Sequence, residues 1–208
     1  MTHPFPILEQ HPLYLNHAAV GPWPRRTAEA IERFTRENMQ HGSLNYWDWV
    51  KRENELREQL ASLTGASSPD DIALLKNTTE GISAVAWGLD WKDGANIVLP
   101  TGEFPSNRLP WLAQQERGAS VREVDILAAA DAEAALLDAM DENTQLLSVS
   151  AVQWSDGFRL DLERLGKACR EHGVLFFVDA IQQLGALPVD VESCRIDFLA
   201  ADAHKWLL

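Results

Sequence analysis

The stretch LFFVDAIQQLGALPVDVESCRIDFLAADAHKW, residues 175–206, decides the fold. The apolar run Val174 to Val178 ends in Asp179, Gln182 follows three positions later, and a second run, Ile196 to Ala201, ends in Asp202 just before His204 and Lys205. Two short apolar runs bounded by polar residues read as buried strands, and an acid and a lysine just past their ends lie where open α/β sheets keep their ligand sites. A carboxylate ending an apolar run is costly to bury unless it is paired or solvated. Asp179 is therefore either a cap for the following turn or an ionised group facing a ligand. Lys205 also has two readings: a solvated surface charge, or an amine whose pKa falls on desolvation so that it can attack a carbonyl.

Working back from this stretch, strands and helices alternate. A helix over Leu160–His172 precedes it, and before that come strand Gln145–Ser150, the alanine-rich helix Asp131–Met140 and strand Val121–Val124. Earlier still are a helix near Leu109–Arg117, strand Asn96–Leu99 with the loop TGEFPSN after it, helix Thr78–Trp87 and the strand-like Ile72–Leu75. Such alternation predicts an α/β fold, a mostly parallel sheet with helices on both faces, over residues 65–208. Residues 1–64 read as an N-terminal arm and helices. Five of the ten prolines fall within residues 1–24, which are expected to be extended, with a turn at Gly21-Pro22-Trp23-Pro24. A helix is expected from about Pro24 with Ala28, Ile31 and Phe34 on one face. Gly42 to Trp49 interrupts it, and helical spacing resumes through Leu56, Leu60 and Leu63 until Gly65 acts as a C-cap.

Totals narrow the function classes. A chain of 208 residues can bury a good-sized core, and a net charge of −13 argues against a nucleic-acid partner, which needs a basic face. No apolar run approaches the ~20 residues of a membrane span, and the first residues lack a basic segment followed by an apolar one. The two cysteines, Cys169 and Cys194, have no CxxC spacing and suit a reducing compartment, and the six histidines are not spaced for a metal. A cytoplasmic protein is expected, without nucleic acid, membrane or metal.

Asn77-Thr78-Thr79-Glu80-Gly81 stands between a strand-like run and a helix. Asn77 and Glu80 have the spacing of a capping box, while free N–H groups and two hydroxyls at a helix N-terminus also suit an anion such as phosphate. Neither GxGxxG nor GxxxxGK[ST] occurs, so dinucleotide and P-loop sites are not supported. An amine, an acid that can partner a pyridinium nitrogen and a helix N-terminus for phosphate are the parts that pyridoxal phosphate requires.

The pieces YLNHAAVGPWP at 14–24, LLKNTTEGIS at 74–83, GEFPSN at 102–107, VDAIQQLGALPVDV at 178–191 and DFLAADAHKWL at 197–207 recur across nearly the whole chain. In them the sequence resembles the class V aminotransferase group of fold-type I pyridoxal-phosphate enzymes, which includes cysteine desulfurases, isopenicillin N epimerase and kynureninase. The resemblance implies an enzyme acting on an amino acid, a homodimer, and Lys205 as the Schiff-base lysine. It implies Asp179 as partner of the pyridine nitrogen, Gln182 as donor to the ring hydroxyl, and Thr78, Thr79 and His204 as phosphate contacts. Phe104 falls where many relatives stack a histidine on the ring, a place an aromatic face can fill without acid–base chemistry. Asn16 and His17, with Ala18, match an arm lining the substrate entrance.

Some positions depart from desulfurases. Asp202 stands where a phosphate-binding serine is frequent, and Ala151 where an asparagine lies near the ring hydroxyl. Relatives also continue for about another domain's length, so the C-terminal part, with its substrate arginine and nucleophilic cysteine, is expected to be missing. Cys169 and Cys194 are then read as buried structural residues, and Arg108 and Arg159 as surface ion-pair partners. Two rivals remain: a cofactor-binding remnant without catalysis, and a receiver-like signalling domain. Receivers also place an Asp and a Lys at strand ends, but they need an acidic pair after the first strand, whereas Asp70-Asp71 precede one.

Overall fold

Five parallel strands form one sheet in the order β2-β1-β3-β4-β5, with β1 at Asn96–Pro100, β2 at Ser120–Val124, β3 at Thr144–Ser150, β4 at Leu175–Asp179 and β5 at Phe198–Ala200. The computed structural model describes residues 3–208. β1, β3 and β4 bury both faces in the middle of the sheet; β1 and β4 are nearly continuous apolar runs, while β3 also buries Thr144, Ser148 and Ser150. β2 lies at one edge, and its charged Arg122 and Glu123 are exposed.

Side-chain alternation divides the core into two layers. On one face, Ile97, Leu99, Leu146 and Phe177 pack with Ile82 and Ala86 of α4 (Thr78–Gly88) and Trp111 of α5 (Leu109–Leu112). On the other, Val98, Leu147, Val149, Phe176 and Val178 meet Leu136 of α6 (Ala132–Asp138) and Leu162, Leu165 and Cys169 of α7 (Leu162–His172). Each such side chain, fully buried, contributes ~1.5–3 kcal/mol. Helices thus cover both faces, as the alternation predicts. Both cysteines are buried and unbridged. No helix among the described residues is long and apolar enough to cross a membrane.

Local chemistry sets the helix ends. Asp131 and Asp161 accept hydrogen bonds from the amides of Ala134 and Arg164 as N-caps of α6 and α7, so these helices begin after the acids rather than at Asp131 or Leu160. The helix expected near Leu109–Arg117 is one short α-helix that tightens into a 3₁₀ turn over Ala113–Arg117. Asn77 caps α4 through the Glu80 amide, while the Glu80 carboxylate accepts from Lys76 N instead of Asn77 N, a capping box displaced by one residue.

Three expectations need correction. Ile72–Leu75 is not a strand: it joins a 3₁₀ turn at Pro69–Asp71 to the cap of α4, no strand pairs with it, and Leu74 and Leu75 are exposed. The arm within residues 3–24 is not wholly extended, because Ile7–Gln10 forms a helical turn, α1, after Pro6, whose fixed φ suits a helix start. The interruption after α2 (Arg25–His41) is shorter than Gly42 to Trp49, since α3 begins at Tyr46 and runs to Thr64. There Trp49 stacks edge-on against both Phe34 and Tyr46, and its indole donates to Glu37, so aromatic contacts and a satisfied N–H stabilise the helix start. Gly65 caps α3 in the left-handed region, at φ 74°. Ile31 and Phe34 do share a face of α2, but that face remains exposed.

Candidate active site at the carboxyl ends of the strands

The chain runs from β1 to one edge of the sheet, at β2, and then returns to β3 on the other side of β1. That reversal lies at the carboxyl ends of β1 and β3, the place where open α/β sheets usually form a ligand crevice. Into this region come the loop after β1 (residues 101–107), the N-terminus of α4, the end of β4 and the segment after β5. α4 lies beside β5 at Gly81, where an added Cβ would make ordinary contact with the Ala200 Cβ at 3.5 Å.

Asp179 ends β4 opposite Ala200 of β5 and is 2% exposed. One carboxylate oxygen accepts from the Ile181 amide at 3.0 Å. Burial raises its pKa from 3.8 to about 7, with the nearby Glu103 charge adding to the rise and the Lys205 ammonium opposing it. Lys205 is 8% exposed, and its Nζ lies 5.8 Å from the centre of the Phe104 ring. Desolvation lowers its pKa, against the pull of Asp179 and Asp202. Asp179 thus caps its turn through the Ile181 amide and does so as a buried acid.

Thr78, the first residue of α4, is buried, and its Oγ1 has no hydrogen-bond partner among the described residues. An orphaned buried hydroxyl costs ~1–3 kcal/mol, and a bound ligand with an acceptor would relieve it. Thr79 is exposed and donates to Ser106 Oγ at 2.8 Å, tying α4 to the Phe104 loop. Gln182 is buried, with Nε2 donating to Ala18 O at 3.1 Å, so one of its two amide hydrogens is engaged by the N-terminal arm.

The arm lies directly over the lysine segment. His17 stacks on Trp206 at 5.1 Å and 9°, Gly21 N donates to His204 O at 2.8 Å, and Thr27 Oγ1 donates to Leu208 O at 3.2 Å. Asn16 is exposed at its edge. His204 is also exposed, and its Nδ1 is 3.1 Å from Asp202. Asp202 thus points to His204. Arg108 pairs with Glu123 at 2.7 Å, as expected of an ion-pair residue, whereas no ion pair is found for Arg159 among the described residues.

Sequence reading passed over four residues that frame the crevice: Glu103, Ser150, Gln153 and Trp154. Glu103, 4% exposed, accepts from Ser150 N, Ser150 Oγ and Gln153 Nε2, and burial raises its pKa while the Ser150 bonds pull it back. Trp154 meets Phe104 edge-on at 5.6 Å. The only sequence signal for Glu103 is an acid beside an aromatic residue in a loop after a buried strand, and one residue's burial cannot be read from that.

The family model for aminotransferase class-V matches residues 13–208. A probable cysteine desulfurase of Methanothermobacter thermautotrophicus is 35% identical over 98% of this chain and 52% of its own length. Among solved structures, a C-DES mutant with glycine covalently linked to its PLP cofactor superposes with a TM-score of 0.90 at 30% identity, covering 99% of this chain and 56% of that one. The cystine C–S lyase C-DES in complex with its reaction product, cysteine persulfide, gives 0.88 at 30% identity over 97% and 55%. The chain spans about half the length of the curated relatives it matches. Its sheet, its helices and the matched 196-residue span, 13–208, place it in one group: the chain belongs to the class-V aminotransferase family.

Proposed function

We propose that this chain forms the cofactor-binding part of a pyridoxal-phosphate-dependent enzyme acting on an amino acid, with Lys205 as the lysine that holds the cofactor. The observation that carries this reading is a buried lysine beneath an aromatic ring, beside a buried aspartate that ends the adjacent strand. The orphaned Thr78 hydroxyl at the start of α4 adds a place for a phosphate oxygen. Pyridoxal phosphate, when bound, supplies an aldehyde that takes an amine and a ring that accepts electrons.

The residues around it have distinct tasks. Desolvation raises the fraction of Lys205 present as free amine, the form that attacks a carbonyl. Asp179, as an anion in a site shielded from water, holds a proton on a ring nitrogen. Phe104 would offer the cofactor ring an aromatic face without proton transfer, Thr78, Thr79 and His204 would hold its phosphate, and the remaining Gln182 amide hydrogen would serve the ring hydroxyl. As a free amine, Lys205 Nζ would serve as the general base for the substrate α-proton. Asn16 and His17 stand at the substrate entrance. In this reading residues 65–208 bind the cofactor and residues 1–64 form the arm and helices of a cytoplasmic homodimer, which accords with the exposed Leu13, Leu15, Trp23 and Trp47.

Titration of the chain with pyridoxal phosphate, followed by an amino-acid panel that includes cysteine and cystine, tests the proposal. The expected result is a near-visible absorbance band that changes with at least one amino acid. A band that no amino acid alters supports the non-catalytic rival, and no band at all refutes cofactor binding.

A further inference from the structure

Glu103 is a buried carboxylate to which the proposed function gives no task. Glu103 sits one residue before Phe104, is 4% exposed, and reaches across the crevice from the loop after β1 to the end of β3. Its Oε1 accepts from Ser150 N at 2.7 Å and from Gln153 Nε2 at 3.1 Å, and its Oε2 accepts from Ser150 Oγ at 2.5 Å. Burying a carboxylate is costly even when it is well bonded. Placing this one near Asp179 adds a second cost, because the two acids repel. A loop that only had to return to the sheet could do so with apolar contacts.

Phe104 explains the arrangement. The residue is 41% exposed, so burial does not fix its position. It is fixed from two sides. Trp154 packs edge-on against it while the Trp154 indole donates to Gly102 O at 3.0 Å, and Glu103 pins the neighbouring backbone to Ser150 and Gln153. Beneath the ring lies Lys205 Nζ. We propose that Glu103 is a positioning residue whose hydrogen-bonded carboxylate ties the 101–107 loop to the end of β3 and thereby holds Phe104 over the Lys205 amine.

This deepens the reading of Lys205 as the cofactor lysine, but the clamp is visible without the cofactor and is tested without it. Competitive acylation of Lys205 in the full chain, read by peptide mapping over a range of pH, gives a limiting rate once the amine is deprotonated. That limit reports access to Nζ alone. Glu103→Ala should raise it several-fold, as should Phe104→Ala, and the double variant should match either single one because both act through the same ring. Glu103→Gln should stay at the wild-type rate: its oxygen can accept both N–H groups, and its amide can donate to Ser150 Oγ, whose hydroxyl hydrogen can rotate.

A wild-type limiting rate in Glu103→Ala overturns the proposal, as does a double variant whose effects add. A Glu103→Gln rate as high as that of Glu103→Ala also overturns it, since charge rather than the clamp would then matter. If Glu103→Ala does not fold by near-UV circular dichroism, Ser150→Ala combined with Gln153→Ala removes the side-chain donors from the other side, with a smaller expected rise because Ser150 N still donates to Glu103. Failure of pyridoxal phosphate to bond Lys205 would sink the proposed function and leave these rates to decide the clamp.

Discussion

Replacing Thr78 by valine should make the cofactor-free chain more stable and its cofactor-loaded form relatively less so. The hydroxyl oxygen is buried without a partner, at the first position of α4. An unsatisfied buried polar atom costs ~1–3 kcal/mol, and a methyl in its place adds ~0.8 kcal/mol of apolar burial. Thr and Val differ little in helix propensity, so the expected net gain is ~2–4 kcal/mol. With an m-value of ~2 kcal/mol/M, the urea midpoint should rise by ~1–2 M. Pyridoxal phosphate at ~100 times its Kd should stabilise the wild-type chain by ~2.7 kcal/mol, and a tenfold weaker site in the variant should recover ~1.4 kcal/mol less. Urea unfolding of both proteins, with and without the cofactor, reads all four numbers. A valine variant less stable than wild type without cofactor, or equally stabilised by it, would refute the idea that this hydroxyl awaits a ligand.

Gly21→Ala should detach the arm, since an added Cβ would lie 1.9 Å from Lys205 O and 2.6 Å from a Leu208 methyl. Overpacking together with the lost Gly21–His204 hydrogen bond should cost ~2–4 kcal/mol, and hydrogen exchange should quicken in residues 14–24 and 203–208; unchanged exchange would contradict the close fit. Asp179 gives a pH signature. Its pKa is 3.8 when unfolded and about 7 when folded, so the folded chain holds an extra proton between those values. Its contribution is full below pH ~4 and is lost as pH rises to ~7, a span worth at most ~4 kcal/mol. In the cofactor-free chain, Asp179→Asn should therefore gain on wild type in urea unfolding from pH 4 to 7, and a gap that does not grow would count against the buried-acid account.

Periodicity revealed most of the sheet because β1, β3 and β4 are buried on both faces and carry the short apolar stretches Ile97–Leu99, Leu146–Leu147 and Leu175–Val178. It failed at Ile72–Leu75, where a similar run has no strand beside it and its leucines stay exposed. Whether four apolar residues form a strand depends on partners that sequence spacing does not supply. The same limit hid Glu103. Asp179 and Lys205 stood out because charges follow strands, but Glu103 depends on Ser150 and Gln153, which lie 47 and 50 residues away. Stacking of His17 on Trp206, which joins the first and last parts of the chain, was equally beyond local reading. α1 was missed because prolines on either side suggested extended chain, although Pro6 also favours a helix start.

Borohydride reduction of the chain after incubation with pyridoxal phosphate, followed by proteolysis and mass mapping, tests the central claim most directly. Reduction fixes the cofactor to whichever amine it has bonded. A single phosphopyridoxyl group on Lys205, absent from Lys205→Ala and diminished in Thr78→Val, is the predicted result. The group on another lysine, spread over several lysines, or on none would contradict the assignment of this crevice as the cofactor site.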